Sequence, residues 1–173
     1  MGKIILILGG ARSGKSTQAM KLAKKYNKVA FLATCQALDK EMKDRIRLHQ
    51  ETRPKHWKTI EEPRDVAARL KEINDTFECI IIDCLTLWIS NLMLAGYKET
   101  DILKEIETIL THHKKINSKI IMVSNEVGLG IVPANKLARA FRDIAGRVNQ
   151  RVARDAHEVF FMFSGIPTRI KKG

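Results

Sequence analysis

The stretch Gly9-Gly10-Ala11-Arg12-Ser13-Gly14-Lys15-Ser16 decides how the rest of the chain is read. It follows a short apolar run, Ile4-Ile5-Leu6-Ile7-Leu8, and precedes a helical pattern through Thr17, Ala19, Met20, Leu22 and Ala23. Strand, glycine-rich turn and helix thus meet at the pattern G-x-x-x-x-G-K-S/T, which specifies a phosphate-binding loop. Glycines permit positive φ and leave backbone N–H groups free to converge on phosphate oxygens. A helix opening near Ser16 adds unsatisfied N–H groups and the positive end of its dipole. In such a loop Lys15 bridges the β- and γ-phosphates and the Ser16 hydroxyl ligates Mg2+. A glycine-rich helix cap with no ligand is the competing reading, and the strand before and helix after argue against it. The expected ligand is a nucleoside triphosphate.

Outward from this loop, short apolar runs alternate with helical patterns. Val29-Ala30-Phe31-Leu32-Ala33 reads as a second buried strand, closed by the polar break Thr34-Cys35-Gln36. A charged helix follows from Asp39 to Gln50, with Leu38, Met42, Ile46 and His49 at helical spacing. His49 therefore sits on an apolar stripe, as either an inert core histidine or a nucleophile or acid/base at a helix end facing the nucleotide. Arg53-Pro54 ends the helix. Residues 56–63 are extended in character, and Asp65 to Ile73 is helical with Val66, Ala67, Leu70 and Ile73 inward. Cys79-Ile80-Ile81-Ile82-Asp83 is a strand closed by an acid, a place suited to hold the Mg2+ shell; a surface aspartate is the alternative.

Helices are expected at Leu85–Leu94, Asp101–Leu110 and Lys136–Asp155, and further strands at Lys119–Ser124 and Val159–Phe163. Polar residues and glycines after Ser124 lie where open α/β sheets bind ligands. His112-His113 reads as a solvated pair near a helix end. Arg147, Arg151 and Arg154 share a helix face, available to phosphates, to acids of a neighbouring subunit or to solvent. Ser164-Gly165-Ile166-Pro167 turns out to a basic tail. Five strand-like runs separated by helices imply an α/β, three-layer, mostly parallel sheet flanked by helices, of the P-loop NTPase-like kind, as one domain over 1–173.

Composition limits the classes of function. With 31 Lys and Arg against 19 Asp and Glu, the net charge is +12, which suits anionic ligands. The lysines are scattered and no aromatic-plus-basic strip appears, so nucleic acid is not an expected partner. Three cysteines without a C-x-x-C indicate reduced thiols, hence a cytoplasmic setting, and argue against a zinc site. The five-residue N-terminal apolar run is too short for a signal peptide, and no stretch has the length of a membrane span.

The longer motifs carry a resemblance. Besides the phosphate loop, they are Asp39-x-Glu41-Met42-x-x-Arg45-Ile46-x-x-His49-x-x-x-Arg53-Pro54-x-x-Trp57-x-Thr59-x-Glu61, the run Ser124 to Pro133, Leu137-Ala138-Arg139-x-Phe141-Arg142-Asp143-x-x-Gly146-Arg147-x-Asn149-Gln150, and Ser164-Gly165-Ile166-Pro167. Together they closely resemble the bifunctional adenosylcobinamide kinase and adenosylcobinamide-phosphate guanylyltransferase family of cobalamin biosynthesis, over essentially the whole chain.

The resemblance implies phosphorylation of adenosylcobinamide with ATP or GTP. GMP is then transferred from GTP to adenosylcobinamide-phosphate through a GMP-histidine, at the position of His49. It places nucleotide contacts at Gly9, Gly10, Ala11, Arg12, Ser13, Gly14, Lys15, Ser16, Ala33, Thr34, Cys35, Gln50, Glu51, Thr52, Arg53, Glu61 and Asp83. It also implies a homotrimer with active sites near subunit boundaries. A kinase that never transfers GMP, with His49 as a packing residue, is the alternative. The run Asp155-Ala156-His157-Glu158 departs from the family pattern, far from the nucleotide motifs.

Overall fold

Four short apolar runs meet in the centre of one sheet. In the computed structural model, which describes residues 2–37 and 40–173, they are β1 (Ile4–Gly9), β2 (Val29–Ala33), β4 (Cys79–Asp83) and β5 (Lys119–Val123). Leu38 and Asp39, expected to open the second helix, lie outside the described residues, as do the side chains of Glu41 and Arg45. Near-continuous Ile, Val and Leu runs are what a strand covered on both faces requires. Alternation divides them: Ile4, Leu6 and Leu8 face one core, while Ile5 and Ile7 face the other.

Seven strands run in the order β3-β2-β4-β5-β1-β6-β7. All neighbours are parallel except β6 (Glu158–Phe163) and β7 (Ile166–Lys172), which pair antiparallel. One face carries α3 (Val66–Ile73), α4 (Leu85–Leu94), α5 (Glu99–His113) and α6 (Lys136–Asp155); α1 (Lys15–Ala23) packs on the other. The helix α2 (Lys40–Glu51) leads His49 to Phe31 on this second face.

Helix bounds follow local chemistry. Asn135 caps α6 by accepting from the N–H groups of Leu137 and Ala138. The apolar α4 is buried on most sides, and its Trp88 donates to the carbonyl of Arg64.

Two strands went unread in the sequence. Lys58–Glu61 forms β3, an edge strand parallel to β2, although its burial pattern lacks an apolar face. The expected basic tail is β7, which satisfies the outer edge of β6. Ser164 (φ 47°) and Gly165 (φ 89°) make the reversal, and most of β7 is exposed, so hydrophobic periodicity could not reveal it.

Candidate active site

The phosphate loop takes its shape from its glycines. Gly9 has φ 149°, and a Cβ there would stand 2.7 Å from Ser13 Oγ and 2.9 Å from the Met162 carbonyl oxygen. Gly14, at φ 90°, is the cap from which α1 starts. Two neighbouring loops dock on this turn: Glu126 N donates to Gly9 O at 3.1 Å, and Gly165 N donates to Ser13 O at 3.0 Å. Lys15 is buried and its Nζ donates to the Gly10 carbonyl. Burial lowers the pKa of Lys15, and the charges of Cys84 and Asp83 oppose that shift.

A cavity of about 380 Å3 opens beside this loop, at the C-terminal ends of β1, β2, β4 and β5. Ala11, Arg12, Lys15 and Ser16 form one wall; Ala33, Cys35, Glu61 and Asp83 come from the strand ends, and His49 and Arg53 from α2 and the turn after it. Ten of the expected site residues thus share one space. Gly9, Gly10, Ser13 and Gly14 shape the loop without lining the cavity, and Thr34, Gln50, Glu51 and Thr52 do not line it either. Thr34 is fully buried, accepts from Cys84 N and donates to Cys84 O, both at 2.8 Å, and so ties the ends of β2 and β4 together. Gln50 donates to Glu61 at 3.1 Å, Thr52 Oγ1 donates to the His49 carbonyl at 2.8 Å, and Glu51 pairs with Arg47.

His49 occupies the centre of the α2 side. Its Nδ1 accepts from Arg53 Nη2 at 3.3 Å, and its Nε2 is 4.0 Å from Asp83 Oδ2. The imidazole is 39 % exposed and Asp83 13 %, so one is open to a ligand and the other largely sheltered. Arg53 lies over the Phe31 ring, 3.7 Å from its centroid, and burial lowers its pKa against the pull of Asp83 and Glu61. The thiols nearby are poor nucleophiles. Burial, then Asp83, pushes Cys84 up to about 11, and burial with Asp83 and Glu61 raises Cys35.

Phe31, Met42, Ile46, Cys84, Leu87, Val123 and Asn125 complete the lining. None was assigned a nucleotide contact from sequence; Phe31 and Val123 read as strand core, the stripe of Met42 and Ile46 hinted at a shared face with His49, and Asn125 fell in the polar run after Ser124 expected near the ligand. Asn149, from α6, donates to the Asn125 carbonyl at 3.2 Å and supports that loop from behind.

The structure corrects two readings. His113 is buried in the last turn of α5 rather than solvated, and burial with the charge of His157 takes its pKa down to about 4. Arg147 and Arg151 meet Glu99 and Glu107 of the same chain, and Arg151 also reaches Asp155 at 2.8 Å. They hold α6 to α5 and are not on the cavity wall. A larger groove of about 830 Å3 runs along α5 beside Lys71, but no expected site residue lines it.

No group of three His, Cys, Asp or Glu side chains able to hold a metal occurs among the described residues. A sheltered Asp83 and the Ser16 hydroxyl do line one cavity, a pair of hard oxygen donors that fits a Mg2+ completed by phosphate and water. Among the described residues no helix is long and apolar enough to cross a membrane.

Comparison with known proteins bears on this site. Residues 5–170 match the family model described as cobinamide kinase / cobinamide phosphate guanyltransferase. The bifunctional adenosylcobalamin biosynthesis protein CobU of Escherichia coli is 40 % identical over 180 residues, covering 97 % of this chain and 99 % of that protein. The protein of the same description from Salmonella typhimurium is 42 % identical with the same coverage. CobP of Pseudomonas aeruginosa, described likewise, is 43 % identical over 96 % of each chain. A KaiC-like protein from Pyrococcus horikoshii superposes with a TM-score of 0.52, covering 92 % of this chain and 70 % of that one, at 15 % identity; this likeness shows the fold alone.

Proposed function

The chain belongs to the cobinamide kinase / cobinamide phosphate guanyltransferase family, and from that premise we propose how its cavity performs the two reactions. As a member it is a bifunctional enzyme of adenosylcobalamin biosynthesis. It phosphorylates adenosylcobinamide with ATP or GTP, then joins GMP from GTP to the new phosphate. The observation that carries the assignment of residues is that His49 and the phosphate loop line one cavity, with Asp83 between them.

In the kinase step the loop amides and Lys15 hold the β- and γ-phosphates, and Lys15 neutralises charge on the transferring group. The desolvated setting of Lys15 strengthens that effect. In the second reaction the same loop holds the departing pyrophosphate while His49 attacks the α-phosphorus. A neutral imidazole makes a labile phosphoramidate, which divides one hard displacement into two easier ones. Arg12 and Arg53 flank the phosphates, and Ala33, Cys35 and Glu61 surround the nucleoside. Ser16 and Asp83 would hold a Mg2+, which when bound screens phosphate charge.

The working unit is taken to be one catalytic domain, in the cytoplasm, assembled as a homotrimer. Three free cysteines accord with a reducing compartment. Exposed Leu129, Ile131 (96 %) and Val132 on the β5–α6 connection, with Leu137 in the first turn of α6, accord with burial between subunits.

The test is covalent labelling with GTP carrying label at either the α- or the γ-phosphate. Acid-labile label from the α position alone, absent in His49→Ala, is the expected result. Intact GTP binding with no retained label would leave a kinase only.

A further inference from the structure

Lysines that are scattered along the sequence converge in space. Strands β1 to β6 are parallel, so their N-terminal ends share the end of the sheet opposite the cavity. Lys3 and Lys28 immediately precede β1 and β2 there. The helices that return the chain to this end bring Lys24 and Lys25 behind α1, Lys71 in the last turn of α3, and Lys115 behind α5. The antiparallel β7 also finishes there, with Lys172. All seven are exposed, as is Arg154 near the end of α6. Acids do not balance them. Asp155 is taken by Arg151 and Lys114, Glu158 by Arg169, and Glu72 by Arg69. Asp75 and Glu78 remain, and Glu78 accepts from the N–H groups of Asn27 and Lys28. Among the described residues none of the seven lysines has a carboxylate within 4.0 Å. The groove of about 830 Å3 along α5 extends this face up the side of the fold, lined by Lys71, Lys104, Lys115 and Leu103.

We propose that this end of the molecule docks reversibly on an anionic lipid surface, with its lysines among the headgroup phosphates and the cavity facing away into solution. The kind of cation favours such a partner. All but Arg154 are lysines, point charges on flexible stems that follow a fluid array of phosphates, whereas a fixed protein or nucleic-acid surface is better read by the rigid fork of arginine. Single-stranded nucleic acid would further need rings on which bases stack. The aromatics of the loops between these lysines, Tyr26 and Phe77, pack against the two cores instead. Attraction to a charged bilayer fades within a Debye length, so the contact is salt-sensitive and needs no inserted segment. Each lysine brought near such a surface strengthens binding about fivefold. Because the lysines and the cavity lie at opposite ends of the strands, docking leaves the nucleotide site open.

The experiment is co-sedimentation of the full chain with vesicles of phosphatidylcholine, with and without phosphatidylglycerol, across a range of salt. Expected is binding only to the vesicles that contain phosphatidylglycerol, lost as salt rises to about 0.5 M. The combined variant Lys24→Gln, Lys25→Gln, Lys28→Gln should bind about 100-fold more weakly, at about fivefold per lysine. Lys40→Gln, Lys43→Gln and Lys136→Gln together remove the same net charge near the starts of α2 and α6, beyond the C-terminal ends of β2 and β5. That variant should lose less than about fivefold. GTP binding at the cavity should be unchanged in the first variant, which reports that it is folded. Should it not fold, Lys71→Gln with Lys115→Gln makes the same comparison on other elements, with a loss of about 25-fold. Equal losses in the two triple variants would reduce the effect to net charge and overturn the proposal. So would equal binding to pure phosphatidylcholine, no binding to either vesicle, or tighter retention on a single-stranded RNA than on the anionic vesicles.

Discussion

The last turns of α2 and α5 each carry a histidine, and the two have opposite fates. His49 is 39 % exposed, with an arginine on one nitrogen and a carboxylate near the other. His113 is 3 % exposed, its Nδ1 has no hydrogen-bond partner among the described residues, and its ring meets His157 edge-on at 5.9 Å. Position at a helix end therefore says little. What covers the end decides: α2 stops at the open C-terminal ends of the strands, whereas α5 stops against α6 and the segment leading into β5. A guanidinium and a carboxylate at an open cavity leave His49 within reach of a ligand, and burial closes His113 off from one.

His49→Ala gives the largest contrast. The rate of α-phosphate labelling should fall at least ~10³-fold, because the variant lacks the proposed nucleophile. The kinase step should suffer far less; equal loss of both activities, measured by product formation, would make His49 structural. His113→Asp should leave the chemistry in place where the protein folds but cost about 3 kcal/mol in urea unfolding, since it puts a carboxylate into a buried site. A stability loss confined to tenths of a kcal/mol would mean that water reaches this site.

A pH titration of stability sharpens the contrast further. His113 has its folded pKa lowered to about 4 from 6.5. Between those values the unfolded chain takes up a proton that the folded chain refuses. The contribution is fully present above 6.5 and is lost as pH falls toward 4. His112 and His157 are lowered too, first by burial, and act in the same direction. The urea midpoint should drop across this window, and His113→Leu should flatten the curve; an unchanged slope in that variant would assign the loss to other groups. The smallest effect is expected at Arg47→Ala, whose pairs with Asp44 and Glu51 are exposed; unfolding should shift by under about 0.5 kcal/mol. A larger shift would show that α2 is held by its surface charges rather than by its contact with Phe31.

The same asymmetry explains what could be read in advance. Strands β1, β2, β4 and β5 were legible because burial on both faces writes continuous apolar runs. Helix α6 was legible end to end because its stripe and its Asn135 cap agree. β3 and β7 were not, since edge strands are fixed by backbone pairing to a neighbour, a condition that imposes little on side chains. Arg147 and Arg151 looked available for phosphates or a partner because Glu99 and Glu107 lie on another helix, 48 and 44 residues away.

Sequence alone determined the phosphate loop, since positive φ at Gly9 and Gly14 and a lysine at the start of a helix are local requirements written in consecutive residues. It also determined the alternating α/β order, and through the longer motifs it pointed to the family. Only the tertiary structure decided which histidine lines the cavity, which of its nitrogens faces Asp83, and that Phe31 and Thr59 hold the arginine beside it. These properties depend on distances between segments far apart in the chain, set by strand register and helix packing, and no local pattern encodes them.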